Sequence, residues 1–296
     1  MQRPPGAWVT QTRVGRGYAE LADDERQFVV DFTGPALAAL LGGALLAGCT
    51  RESTSDLIRS AREYQAKGEH QAAIIQLKNA LQKQPDSAEA RFLLGESSLI
   101  IGDPATAEKE FRKAAEFGHP PALVVPMIAQ AMLDNGESEK VMSEFGQRKL
   151  DDPKAEAALR VIVGQAQLRT SKLEAAAASF AAALASDSSN IQAGLGQARI
   201  AGFAGKLDEA IDSVDQIVAR HPKSSDALLL QGALRLARGD REGARTALEQ
   251  AVAAEAQRCH QPGALRRQHG HRPRQRLQIA HMPLMLLRRA GPVLDG

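Results

Sequence analysis

The feature that most constrains this chain is an internal period of 34 residues, present six times with one extra residue before the fourth copy. A small residue opens the pattern at Ala61, Gly95, Ala129, Gly164, Ala198 and Gly232. Seven residues later stands Gly68, Gly102, Gly136, Ser171, Gly205 or Gly239. Five further on comes Ala73, Ala107, Val141, Ala176, Ala210 or Ala244, then a large apolar residue at Leu77, Phe111, Phe145, Phe180, Val214 or Leu248. The copies begin near residues 54, 88, 122, 157, 191 and 225. A fixed period of this length calls for stacked supersecondary units, each too small to bury its apolar face alone.

Each position has a physical task in a helix-turn-helix unit. The small eighth residue lets the first helix approach the second closely. Glycine at the fifteenth suits a tight turn with positive φ. Alanine at the twentieth marks the crossing point, and the large residue at the twenty-fourth fills the seam with the next unit. Aromatic residues make up only 4% of the chain, and Ala and Leu dominate, which favours helix over sheet. The pattern resembles the tetratricopeptide repeat. It implies an all-α fold: a TPR solenoid of about six helix-turn-helix repeats over residues 54–256, with a concave face that binds protein segments. The third copy is the most degenerate, with Val141 in place of alanine.

The first-helix residues expected to point into that groove are Arg62, Gln65, Glu96, Leu99, Gln130, Leu133, Gln165, Leu168, Arg199 and Leu236. The row mixes Leu with Arg and Gln. It does not resemble the Lys/Arg/Asn clamp that grips C-terminal carboxylates in chaperone-binding relatives. A partner offering an extended or helical segment with apolar anchors suits it better.

Ahead of the repeats, residues 36–48 form an apolar run with the length of a signal-peptide core, too short for a comfortable membrane span. Its end, Leu46-Ala47-Gly48-Cys49, resembles the bacterial lipobox, which implies lipidation on Cys49 after cleavage, with residues 49–53 as a short linker. Thr50, instead of Asp, follows the cysteine, which by resemblance to Gram-negative sorting implies the outer membrane, facing the periplasm. Thirty-five residues precede the run, including Asp23, Asp24, Glu25 and Asp31, where a short basic stretch would be expected. A start at Val29 or Val30 would reconcile the two.

A narrower resemblance rests on Ala72-Ala73-Ile74-Ile75-Gln76-Leu77-Lys78-Asn79-Ala80-Leu81-Gln82, Glu89 to Glu96, Gly102-Asp103-Pro104, Gly118-His119-Pro120-Pro121 and Gly164 to Leu168. With the lipobox, these look like the tetratricopeptide lipoproteins of the PEP-CTERM/exosortase system. That resemblance implies an envelope scaffold linked to exopolysaccharide production and protein sorting. Its members are usually longer, so the array is expected to leave apolar surface open near Leu248 and Val252. Alternatives are a pilus or outer-membrane assembly lipoprotein, or an accessory subunit of a glycan-processing enzyme.

Charge separates the segments. Residues 1–48 carry −1, residues 49–256 carry −4, and residues 257–296 carry +7 from eight Arg against Asp295, with no Lys. The mildly acidic array argues against nucleic acid as a partner. The Arg/His/Pro-rich tail, 257–296, reads as disordered or translated out of frame, and its Cys259, His260, His269 and His271 lack the fixed spacing of a metal site. No phosphate-binding glycine loop, metal-binding His pair or nucleophile elbow is present, so neither a cofactor nor an enzyme is expected. His70, His119 and His221 read as solvated turn residues. Asp151-Asp152 and Asp208-Glu209 read as helix starts.

Overall fold

The computed structural model describes residues 52–259. The chain divides into two units, Met1–Glu52 and Ser53–Gly296, and the description that follows is of the second. Residues 1–48, Cys49 and the tail beyond Cys259 lie outside the described residues.

Among the described residues there are twelve α-helices and no strand. They pair as α1 (Thr54–Ala66) with α2 (His70–Lys83), α3 (Ala88–Ile101) with α4 (Pro104–Glu116), and α5 (Pro121–Asp134) with α6 (Ser138–Phe145). The pairs continue as α7 (Pro153–Arg169) with α8 (Leu173–Ser186), α9 (Ile191–Phe203) with α10 (Leu207–Arg220), and α11 (Ser225–Arg238) with α12 (Arg241–Cys259). The odd-numbered members are the A helices of the repeats and the even-numbered ones the B helices. The fourth A helix begins at Pro153, ahead of position 157. The last B helix runs to Cys259, so residues 257–259 are its final turn and not the start of an unstructured tail.

The A helices start where a short polar side chain can accept a backbone N–H that the helix leaves unpaired. Ser53, Ser87, Asp152, Asn190 and Ser224 each do so for α1, α3, α7, α9 and α11. Pro120 and Pro121 begin α5, where a missing N–H costs nothing. Asp208 and Glu209 lie in the first turn of α10, in the positive field of its N-terminus.

Between the helices of a pair the chain turns through positive φ. Five of the six turns use glycine; the fourth uses Ser171, at φ 60. The seam residues are buried as a set. Ala73, Ala107, Val141, Ala176 and Ala210 are closed to solvent, as are Leu77, Phe111, Phe145, Phe180 and Val214. A Cβ added to Gly95 would stand 2.6 Å from the Phe111 ring, which is why the eighth position must be small there. In the sixth repeat no further helix pair among the described residues packs on α12, and Leu248 and Val252 are 39% and 69% exposed.

The third repeat departs from the others. Helix α6 is only 8 residues long and ends at Phe145. Arg148 stands where other repeats place a buried small or aliphatic residue. The Arg160 guanidinium of α7 closes the break, donating to the carbonyls of Gly146 at 2.7 Å, Phe145 at 3.2 Å and Arg148, while its Nε pairs with Glu156 at 2.9 Å. Carbonyls that a longer helix would have satisfied internally are thus satisfied by a side chain.

Candidate protein-binding groove

Every helix packs on its chain neighbours, but only the A helices also touch one another in succession: α1 with α3, α5 with α7, α7 with α9, and α9 with α11. No contact of that extent joins successive B helices. The A helices therefore line the inner face, and polar side chains stitch them together. Arg62 of α1 pairs with Glu89 of α3 at 2.5 Å. The Gln65 amide donates to the Leu93 carbonyl at 3.1 Å and to the Ser97 hydroxyl at 2.9 Å. Arg169 of α7 donates to the Leu133 carbonyl of α5, and Gln192 of α9 donates to Asp226 of α11 at 2.9 Å.

On this face each A helix leaves one stripe open to solvent. On α3 it is Glu89, Phe92, Glu96 and Ile100; on α5 it is Leu123, Met127, Gln130 and Asp134. Steps of three and four residues keep a stripe on one side of a helix. The stripe continues as Ala158, Gln165 and Arg169 on α7, and as Gln192, Arg199 and Phe203 on α9. Its most exposed large apolar member is Leu123, at 53%.

The residues singled out from sequence divide into two rows. Those at the ninth position of the first five repeats, Arg62, Glu96, Gln130, Gln165 and Arg199, lie on the open stripe. Those at the twelfth position do not, and this corrects the expected groove lining. Leu99 and Leu133 are 4% and 0% exposed and belong to the core, and Gln65 is buried against α3. Leu168 and Leu236 are half-buried, Leu168 against the core around Phe180. The physical reason is angular. At 3.6 residues per turn, three residues beyond the ninth fall about 60° to one side, at the edge of the stripe against the neighbouring helix, whereas four fall about 40° to the other and stay within it. Ile100, Asp134, Arg169 and Phe203 are the residues sequence reading missed, one place further along.

A second correction concerns His119. It is not a solvated turn residue: its ring stacks on Phe92 with centroids 4.2 Å apart and planes 18° apart. Burial holds its pKa below the ordinary histidine value, with Glu89 opposing. Beneath the same loop Arg91 and Glu110 form a largely buried ion pair at 2.6 Å, and Arg91 also donates to the Pro85 carbonyl at 2.9 Å. Together these fix the connections on either side of the second repeat. Among the described residues no group of three or more His, Cys, Asp or Glu is placed to hold a metal ion, and no helix is long and apolar enough to cross a membrane.

A tetratricopeptide-repeat family model matches residues 58–120 and 195–258, the first two and last two helix pairs. No curated protein matches the chain in sequence. Among solved structures, it is similar to PilF of Pseudomonas aeruginosa (TM-score 0.54, 19% identity, 69% of this chain and 97% of that one). It is also similar to PilW, described as a widely conserved type IV pilus biogenesis factor (0.55, 19%, 71% and 96%). A third is a tetratricopeptide repeat protein from Parabacteroides merdae (0.53, 15%, 82% and 94%). At these identities the likeness is one of fold: the chain folds as a TPR solenoid.

Proposed function

We propose that this chain is a protein–protein interaction scaffold that binds an extended or helical segment of an envelope protein along its A-helix face. The observation that carries the reading is the solvent-open stripe on successive A helices, which offers apolar side chains at Leu123 and Met127 beside polar ones. A groove of that composition gains affinity from a few apolar anchors and orientation from polar groups. Anchoring through a lipid on Cys49, residence at the outer membrane facing the periplasm, and service to exopolysaccharide production and PEP-CTERM sorting belong to the same proposal. They are supported by the lipobox and by the repeat spellings.

A second reading, assembly of pili, draws on the similarity in fold to PilF and PilW. The test has two arms. A photo-crosslinking side chain is placed at Gln130 in the groove or at Ile75 on α2, and the chain is expressed in a Gram-negative host with the sorting and polysaccharide genes. Crosslinks to an envelope protein from Gln130 but not from Ile75 are expected, and the partner's identity separates the two readings. Equal crosslinking from both positions removes the groove reading. Clickable palmitate should label the wild-type chain and not Cys49→Ser; unlabelled wild type removes the anchor.

A further inference from the structure

Arg199 stands at the ninth position of α9, half-buried on the open stripe, and makes no hydrogen bond or ion pair among the described residues. Other arginines of the array set back from solvent each hold at least one partner, although the Nε atoms of Arg160 and Arg235 lack a hydrogen bond. Arg91 holds Glu110 and a carbonyl, Arg160 holds Glu156 and three carbonyls, Arg169 holds the Leu133 carbonyl, and Arg235 holds Asp215 at 2.9 Å. The charge facing Arg199 is Asp226, which acts through space while its own carboxylate accepts from Gln192. Burial outweighs that attraction and lowers the guanidinium pKa, though an arginine remains charged. At the corresponding positions of the flanking A helices stand Gln165 and Ala233, neither of which is an acid.

A desolvated guanidinium presents five N–H donors in a planar fork, and that fork matches a carboxylate's two oxygens. Phosphate-rich ligands fit poorly here. A single cation beside Asp226, in an array of net charge −4, cannot neutralise a polyanion. We propose that Arg199 is the carboxylate anchor of the groove, forming a two-toothed ion pair with an acidic side chain or the C-terminal carboxylate of the bound segment. The proposal rests on the reading of the A-helix face as a peptide-binding groove. It also sets a spacing. Leu123 and Met127 lie on α5, two A helices before α9. Helix axes about 8–10 Å apart give roughly 16–20 Å, so the acid lies about five or six extended residues from the apolar anchor.

The full chain is used to select from a displayed library of random twelve-residue peptides, and the enriched peptides are synthesised for fluorescence anisotropy. Enrichment of one acidic position, or of a free C-terminus, at that spacing from an apolar residue is expected. Arg199→Gln should weaken binding about 10- to 100-fold, with Arg199→Lys in between. Changing the peptide's acid to its amide should weaken wild type and leave Arg199→Gln unchanged. Amidating only the C-terminus tells which carboxylate is used. The Arg199→Gln protein should melt at or above the wild-type temperature, since it sheds an unpaired, half-buried charge. Enriched peptides without an acid preference, or equal binding by wild type and Arg199→Gln, overturn the anchor and leave the groove standing. Failure to enrich any peptide, or binding that survives Gln130→Arg and Gln165→Trp together, overturns the groove and the anchor with it.

Discussion

At the scale of single residues, what sequence could locate was every position whose task is steric. The small residue, the turn glycine and the seam alanine are held by steric limits that only Ser171 and Val141 relax, so the 34-residue period displays them. What it could not locate is which polar side chains face solvent. That depends on one residue of helical phase, and it separates Leu133, closed in the core, from Asp134 beside it. His119 was equally illegible, because its environment is made by Phe92, 27 positions earlier. It now supports a pH prediction. Its folded pKa lies below the ordinary 6.5, so the unfolded chain takes up the proton first. The stabilisation is complete above about pH 6.5 and is lost as pH falls below it. Thermal melting of wild type should therefore decline between about pH 7 and pH 5 more steeply than melting of His119→Phe, which keeps the stack and cannot titrate. Parallel curves would show that His119 contributes nothing to the slope.

At the scale of helices, the third pair is where the repeat signal and the structure both weaken. Its B helix stops at 8 residues, and the family model leaves it unmatched together with the fourth pair. The degeneracy was readable at Val141, but the device that compensates was not. Arg160 belongs to the next repeat and does its work through backbone carbonyls, which have no sequence signature. Removing it takes the donor from the Gly146 and Arg148 carbonyls and the cation from Glu156, which keeps only the Leu150 N–H, in a half-dry place. Arg160→Ala should destabilise the chain by about 2–4 kcal/mol, measured by urea unfolding. A loss under about 0.5 kcal/mol, the size expected of an ordinary surface change, would mean that water replaces the guanidinium without penalty.

At the scale of the whole array, stability is a sum over repeats and the interfaces between them. The weakest link then sets how the array opens. Native-state hydrogen exchange should find the lowest protection among interior helices in α6 and the segment to Asp152, with Leu195–Leu234 and Leu57–Leu94 more protected. Uniform protection across all six pairs would show instead that Arg160 restores full coupling. The side-by-side A helices have a last consequence. A chain lying across them meets a new helix every few residues, and at each crossing it touches only one or two side chains of the stripe. Recognition by such a surface is therefore spelled one character per repeat, in an order fixed by the gene. Exchanging two repeats would rearrange the word being read without inventing any new letter.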